Sequence, residues 1–169
     1  SDLGKTFTAL ETFVDLLRAP AEGRPRLCVW LVNSPELAEQ AMISFRDLWT
    51  LKGDKPLTTW RLYKKWGPPG IDELTQDSVI FSTYDIIHSI LKRRDSRLVS
   101  LDNLIKQTEY LIVDEAHTST ADTYKACIER FIYNGKARLL GLSATPVRQS
   151  REGTEDLINL FRGNILKIE

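Results

Sequence analysis

Three short groups of residues carry the chemistry of this sequence. Gly4-Lys5-Thr6 opens a helical pattern, Asp114-Glu115-Ala116-His117 follows the apolar run Leu111–Val113, and Ser143-Ala144-Thr145 follows Leu139–Leu142. A Gly-Lys-Thr triplet at a helix start offers backbone N–H groups, the positive end of the helix dipole and an ammonium, a combination suited to phosphate. The triplet is the second half of the full phosphate loop GxxxxGK[ST], and alone it describes an exposed Gly-Lys pair equally well. Two adjacent carboxylates at the end of a buried strand are costly unless they face a cation or a crevice. Ligands of open α/β sheets gather beyond the strand ends. There one acid can hold a divalent cation while the other orients and activates a water for phosphoryl transfer. A chance Asp-Glu-Ala-His tetrad in a chain of 169 residues has odds on the order of one in a thousand. Ser143 and Thr145 can hydrogen-bond a neighbouring carboxylate or histidine and an adjacent loop, although a turn before Pro146 explains the tripeptide by itself. Three such groups, in order and on like ends of different strands, argue together.

Positioning these groups requires a regular alternation of elements, and the patterning supplies it. Phe7, Leu10, Phe13, Val14 and Leu17 recur at helical spacing and predict a helix from Lys5 to Ala19, ended by Pro20 and the Gly23–Pro25 stretch. Leu27–Val32 is a continuous apolar run, the mark of a strand covered on both faces. Ser34 is placed to cap the next helix, with Pro35 in its first turn and Leu37, Ala41, Ile43 and Leu48 along it. Lys52 to Asp77 is rich in Pro and Gly and predicts loops around one strand, Thr58–Tyr63. Strands follow at Val79–Thr83, Tyr110–Asp114, Arg138–Ser143 and Ile165–Ile168, and helices at Tyr84–Lys92, Leu98–Gln107, Thr123–Tyr133 and Glu155–Phe161. This alternation predicts an α/β fold, one domain over residues 1–169, with a mostly parallel sheet and helices on both faces.

Composition narrows the function classes. Lys+Arg and Asp+Glu are each 23, so the formal charge is zero and any nucleic-acid contact must come from a local patch rather than bulk charge. No apolar run approaches the ~20 residues of a membrane span, and the first residues do not form a secretory signal. Cys28 and Cys127 lie in apolar patterns without CxxC or a nearby His pair, which fits packed thiols in a reducing compartment. Lys52, Lys55, Arg61, Lys64 and Lys65 cluster around Trp60, Tyr63 and Trp66. That mixture suits a stacked single strand, while an inward-packed Trp60 and Tyr63 with solvated lysines is the plainer expectation.

Taken together, GKT, DEAH and SAT resemble motifs I, II and III of the first RecA-like domain of superfamily 2 helicases. Asn33-Ser34-Pro35-Glu36-Leu37-Ala38-Glu39-Gln40 resembles motif Ia, with Asn33 in place of the usual proline, and Ser82-Thr83-Tyr84 resembles motif Ib. The run Ala144–Arg148, with Leu160–Gly163 and Ile165–Ile168 after it, is similar to the branch that holds type III restriction enzyme helicase subunits and related DNA translocases. The resemblance implies a RecA-like P-loop three-layer sandwich that lacks the strand before the phosphate loop, and a chain cut from a longer protein. It implies ATP and Mg²⁺ as cofactors. Gly4 would supply a backbone N–H, Lys5 would contact the β- and γ-phosphates, and Thr6 and Asp114 would ligate Mg²⁺. Glu115 would be the catalytic base, and His117, Ser143 and Thr145 would couple nucleotide state to domain movement. Ser34 and Thr83 would touch the nucleic-acid backbone. The implied partners are DNA, with RNA as the alternative, and a second RecA-like domain of the same protein, in an intracellular setting without a membrane. That second domain supplies an arginine finger worth roughly a thousandfold in rate, so the isolated chain is expected to be nearly inactive as an ATPase. The competing expectations are a DEAH-type RNA helicase and a nucleic-acid-binding module without turnover.

Overall fold

All six side chains of Leu27–Val32 are buried, and such a run finds a stable place only in the middle of a sheet covered on both sides. The computed structural model describes residues 2–19, 23–114 and 121–142, with backbone alone at 2–8, 114, 121–122 and 141–142. In chain order the described elements are α1 (Asp2–Arg18), β1 (Leu27–Val32), α2 (Pro35–Lys52), β2 (Leu57–Leu62), a 3₁₀ turn (Ile71–Glu73) and β3 (Asp77–Thr83). They continue with α3 (Tyr84–Arg93), α4 (Leu98–Gln107), β4 (Tyr110–Asp114), α5 (Ala121–Tyr133) and β5 (Arg138–Leu142). The helix expected at Glu155–Phe161 and the strand expected at Ile165–Ile168 lie outside the described residues.

The five strands form one sheet in the order β2-β3-β1-β4-β5. Each adjacent pair is parallel, with β1 set between β3 (Val29 opposite Ile80) and β4 (Val29 opposite Leu111). Strand alternation divides the core in two. Cys28, Trp30, Val32, Val79, Phe81, Ile112 and Leu140 point to the face covered by α1 and α2, where they meet Leu10, Phe13, Val14, Phe45 and Leu48. Leu27, Val29, Leu31, Ile80, Leu111, Val113 and Leu139 point to the face covered by α3, α4 and α5, against Tyr84, Ile87, Leu104, Ile105, Ile128 and Phe131. The sheet with helices on both faces is therefore the α/β architecture that the alternation predicts. Among the described residues no helix is long and apolar enough to cross a membrane.

Because the five described strands all run the same way, the sheet has two chemically distinct edges. The amino edge holds the strand starts and the helix C-termini; the carboxyl edge holds the strand ends and the starts of the helices that follow. The direction of α1 is fixed by three contacts. Arg26, just before β1, donates from Nη1 to the Leu16 carbonyl at 2.6 Å, and Lys52 at the end of α2 pairs with Glu11 at 3.2 Å. Phe13 packs edge-on against Trp30, ring centroids 5.7 Å apart. The C-terminal part of α1 therefore sits at the amino edge, and the helix rises beside β1 toward the carboxyl edge. From Phe13 back to Lys5 the helix climbs about 12 Å, whereas from Trp30 to Val32 the strand advances about 7 Å. The first turns of α1 thus reach the level of the strand ends.

Candidate functional site

The carboxyl edge gathers most of the residues singled out by the sequence. Gly4, Lys5 and Thr6 lie in the first turns of α1, and Asp114 is the last residue of β4. Glu115, His117, Ser143 and Thr145 lie outside the described residues. Beside these elements Ser34 follows β1 and caps α2, its Oγ accepting the Leu37 N–H at 3.2 Å. Thr83 ends β3 and caps α3 in the same manner, its Oγ1 accepting the Ile86 N–H at 3.3 Å. A hydroxyl that accepts a capping N–H still has its own proton to donate. Helix N-termini also carry partial positive charge, so the starts of α1, α2 and α3 make this edge attractive to phosphate oxygens. Ser34 is half-buried and Thr83 buried, which makes Ser34 the easier of the two for a ligand to reach.

The basic and aromatic segment is divided by the fold. Strand β2 advances about 20 Å along the sheet, separating lysines that look clustered in the sequence. Lys52 pairs with Glu11, and Lys55 with Asp77 at 3.1 Å, both toward the amino edge. Trp60 packs against the face covered by α3–α5 and donates from its indole N–H to Ser78 Oγ at 3.0 Å. Tyr63 is buried against the opposite face. The plainer expectation for these two aromatics is the correct one. Trp66 differs: it is 39 % exposed, just beyond the end of β2.

Around Trp66 is a group that the sequence pattern does not reveal. Arg61 grips Glu39 of α2 with two hydrogen bonds, 2.8 and 2.9 Å, and the Tyr63 hydroxyl donates to the same carboxylate. The Arg61 bonds, then the Tyr63 bond, hold the Glu39 carboxyl down from its ordinary 4.5 to about 2. Burial, reinforced by Glu39, pushes the Tyr63 phenol up to about 12, so it keeps its proton throughout the neutral range. Glu39 and Arg61 stand 22 residues apart, too far for any local rule to pair them. The one available signal was period two: Arg61 and Tyr63 share the face of β2 that looks toward α2.

The amino edge holds a cavity of about 610 Å³ bordered by Arg24, Arg26, Lys106, Glu109 and Lys136. Two of its cations have structural work. Arg26 pairs with Glu109 at 3.5 Å besides its bond to Leu16, and Lys106 lies in the last turn of α4, where a cation complements the helix dipole. Burial pushes both thiols up, Cys127 to about 12, so Cys28 and Cys127 are protonated, unreactive core groups. No group of His, Cys, Asp and Glu among the described residues is arranged to hold a metal ion.

Comparison with known proteins adds two findings. Residues 3–148 match the family described as "Type III restriction enzyme, res subunit". Among solved structures the fold is similar to a nuclease-deletion mutant of the Type ISP restriction-modification enzyme LlaGI in complex with a DNA substrate mimic. The TM-score is 0.57 and the identity 21 %, over 86 % of this chain and 15 % of that one. The chain therefore spans a small part of that protein's length, and the likeness is one of fold. No curated protein sequence matches.

Proposed function

The chain belongs to the family of type III restriction enzyme res subunits, which are helicase-type ATPase domains, and from that premise we propose that it is the ATP-binding and hydrolysing half of a DNA helicase or translocase of the DEAH kind. The observation that carries the reading is the shared edge: the first turns of α1 and the last residue of β4 reach the same end of the sheet, next to two further helix N-termini. That arrangement fits a magnesium–triphosphate by the chemistry of its donors. Backbone N–H groups and a lysine suit the phosphates, and a threonine hydroxyl with a carboxylate suits a hard cation.

In this reading Gly4, Lys5 and Thr6 hold the phosphates, and Thr6 and Asp114 hold Mg²⁺. Glu115 orients the attacking water and takes its proton. His117, Ser143 and Thr145 link that event to a second RecA-like domain, whose arginine completes the charge stabilisation. Ser34 and Thr83 hold the sugar-phosphate backbone of a DNA strand, a contact that positions the strand without reading its sequence. The cation, when bound, neutralises charge on the β- and γ-phosphates.

Nucleotide binding and turnover test this separately. Lys5→Ala is expected to weaken Mg²⁺-ATP binding by tenfold or more, because it removes a charge-assisted contact worth roughly 1.5–3 kcal/mol. Glu115→Gln is expected to leave binding intact and to reduce turnover of the full-length protein by about a hundredfold or more. Stimulation by DNA above RNA is the further expectation, and the reverse order would favour the RNA helicase. Nucleotide affinity indifferent to Lys5→Ala would overturn the proposal.

A further inference from the structure

We propose that Trp66 is a stacking platform for a base of single-stranded DNA, extending the strand path beyond Ser34 and Thr83 to the outer end of the carboxyl edge; this rests on the reading above. Adjacent strands lie about 5 Å apart, and the order β2-β3-β1 sets the ends of β2, β3 and β1 in a row. A strand held at Ser34 and Thr83 therefore needs only one further step outward to meet the end of β2.

Trp66 is presented there by a stiff local frame. Its N–H donates to the Tyr63 carbonyl at 3.0 Å, and its ring meets Tyr63 edge-on, with centroids 5.5 Å apart. Between them Lys64 adopts φ +53°, a left-handed conformation that a lysine keeps only when its surroundings impose it. Tyr63 is itself fixed to Glu39, as is Arg61, whose guanidinium lies 5.3 Å from the Trp66 ring centroid. The result is an indole that remains partly open to solvent although two neighbours, Tyr63 and Arg61, are tied to Glu39 of α2. A third neighbour lies at the surface: the ammonium of exposed Lys65 is 5.1 Å from the ring centroid. That contact exchanges readily, because a base can take the ring face while Lys65 turns to the adjoining phosphate. A rigid aromatic face flanked by cations, at the edge where phosphate donors converge, is the composition of a sequence-tolerant single-strand site.

An oligothymidylate and an abasic strand of equal length separate stacking from phosphate contact. The wild-type protein is expected to bind oligothymidylate more tightly than the abasic strand. Trp66→Ala should lose about fivefold to a hundredfold on oligothymidylate and nothing on the abasic strand, while Trp66→Phe keeps most of the affinity. Unchanged circular dichroism would confirm that the variants fold. Equal losses on both strands, or none on either, would overturn the stacking role. Should Ser34→Gly weaken oligothymidylate binding while Trp66→Ala does not, the DNA reading stands and the platform falls. If neither strand binds the wild-type protein, both fall.

Discussion

At the amino edge of the sheet Arg26, Lys55, Asp77 and Glu109 hold one another and the strand starts. At the carboxyl edge the half-buried Ser34 and the buried Thr83 cap helix starts, and Trp66 leaves part of its indole exposed. Asp77 accepts the Arg26 N–H at 2.8 Å and pairs with Lys55 at 3.1 Å, while the Ser78 N–H reaches the Arg26 carbonyl at 2.8 Å. Glu109 and Arg138 close the starts of β4 and β5 in the same way, their N–H groups donating to the Leu27 and Glu109 carbonyls. Charges at this edge also neutralise helix C-termini. A parallel sheet thus separates its tasks by direction. Helix dipoles and strand polarity leave positive, hydrogen-donating groups at one edge, and at the other a margin where chain cations are used in holding the fold.

Substitutions at the two edges should therefore move different measurements. The largest stability effect is expected from Asp77→Ala, which strands the Arg26 N–H and frees the partly buried Lys55 ammonium. A loss of about 2–3 kcal/mol in urea unfolding is expected, with unchanged affinity of the folded protein for oligothymidylate. A comparable loss of affinity would break the division between the edges.

Smaller stability effects but clear binding effects are expected at the caps. Ser34→Ala and Thr83→Ala should each cost about 1 kcal/mol of stability, whereas glycine at a cap costs only a few tenths. Ser34→Gly therefore separates capping from binding: unfolding close to wild type together with weakened strand binding assigns the hydroxyl to the ligand. The effect should be larger at Ser34 than at Thr83, because Thr83 is more deeply covered. Equal affinities of Ser34→Gly and wild-type protein would leave Ser34 a cap alone.

The smallest effect concerns Glu39. Its folded carboxyl titrates near 2, against 4.5 for the ordinary group. The contribution of its contacts is thus fully present above 4.5 and disappears as pH falls toward 2. Glu39 and Arg61 are both about one-third exposed, so solvent and salt weaken the pair. The difference in thermal midpoint between wild type and Glu39→Gln should be small and steady at neutral pH, and should shrink through that acidic window. A difference that ignores pH would show that Arg61 and Tyr63 do not discriminate the ionised carboxylate.

Local chemistry made much of the fold legible. The run Leu27–Val32 is the central strand because nothing in it tolerates water, and Ser34-Pro35 starts α2 because a serine oxygen and a proline ring both suit a first turn. The helix α4, Leu98–Gln107, and the strand β4, Tyr110–Asp114, have the bounds that their patterns predict. The ends of β2 were less legible: the sequence places it at Thr58–Tyr63, but pairing of Leu57 with Asp77 in β3 draws its start one residue earlier. The 3₁₀ turn at Ile71–Glu73 went unanticipated in a segment that its prolines and glycines mark only as loop.

Local pattern alone settled most of the described helices and strands, the two apolar faces of β1 and the groups suited to phosphate. These depend on periodicity and capping over a few residues, which no distant contact has to supply. Long-range packing set which lysines share an edge, that Glu39 meets Arg61, and that Trp66, unlike Trp60 and Tyr63, is exposed. Those outcomes depend on where the parallel strands lie beside one another, and a strand about 20 Å long carries neighbours in sequence to opposite ends of the molecule.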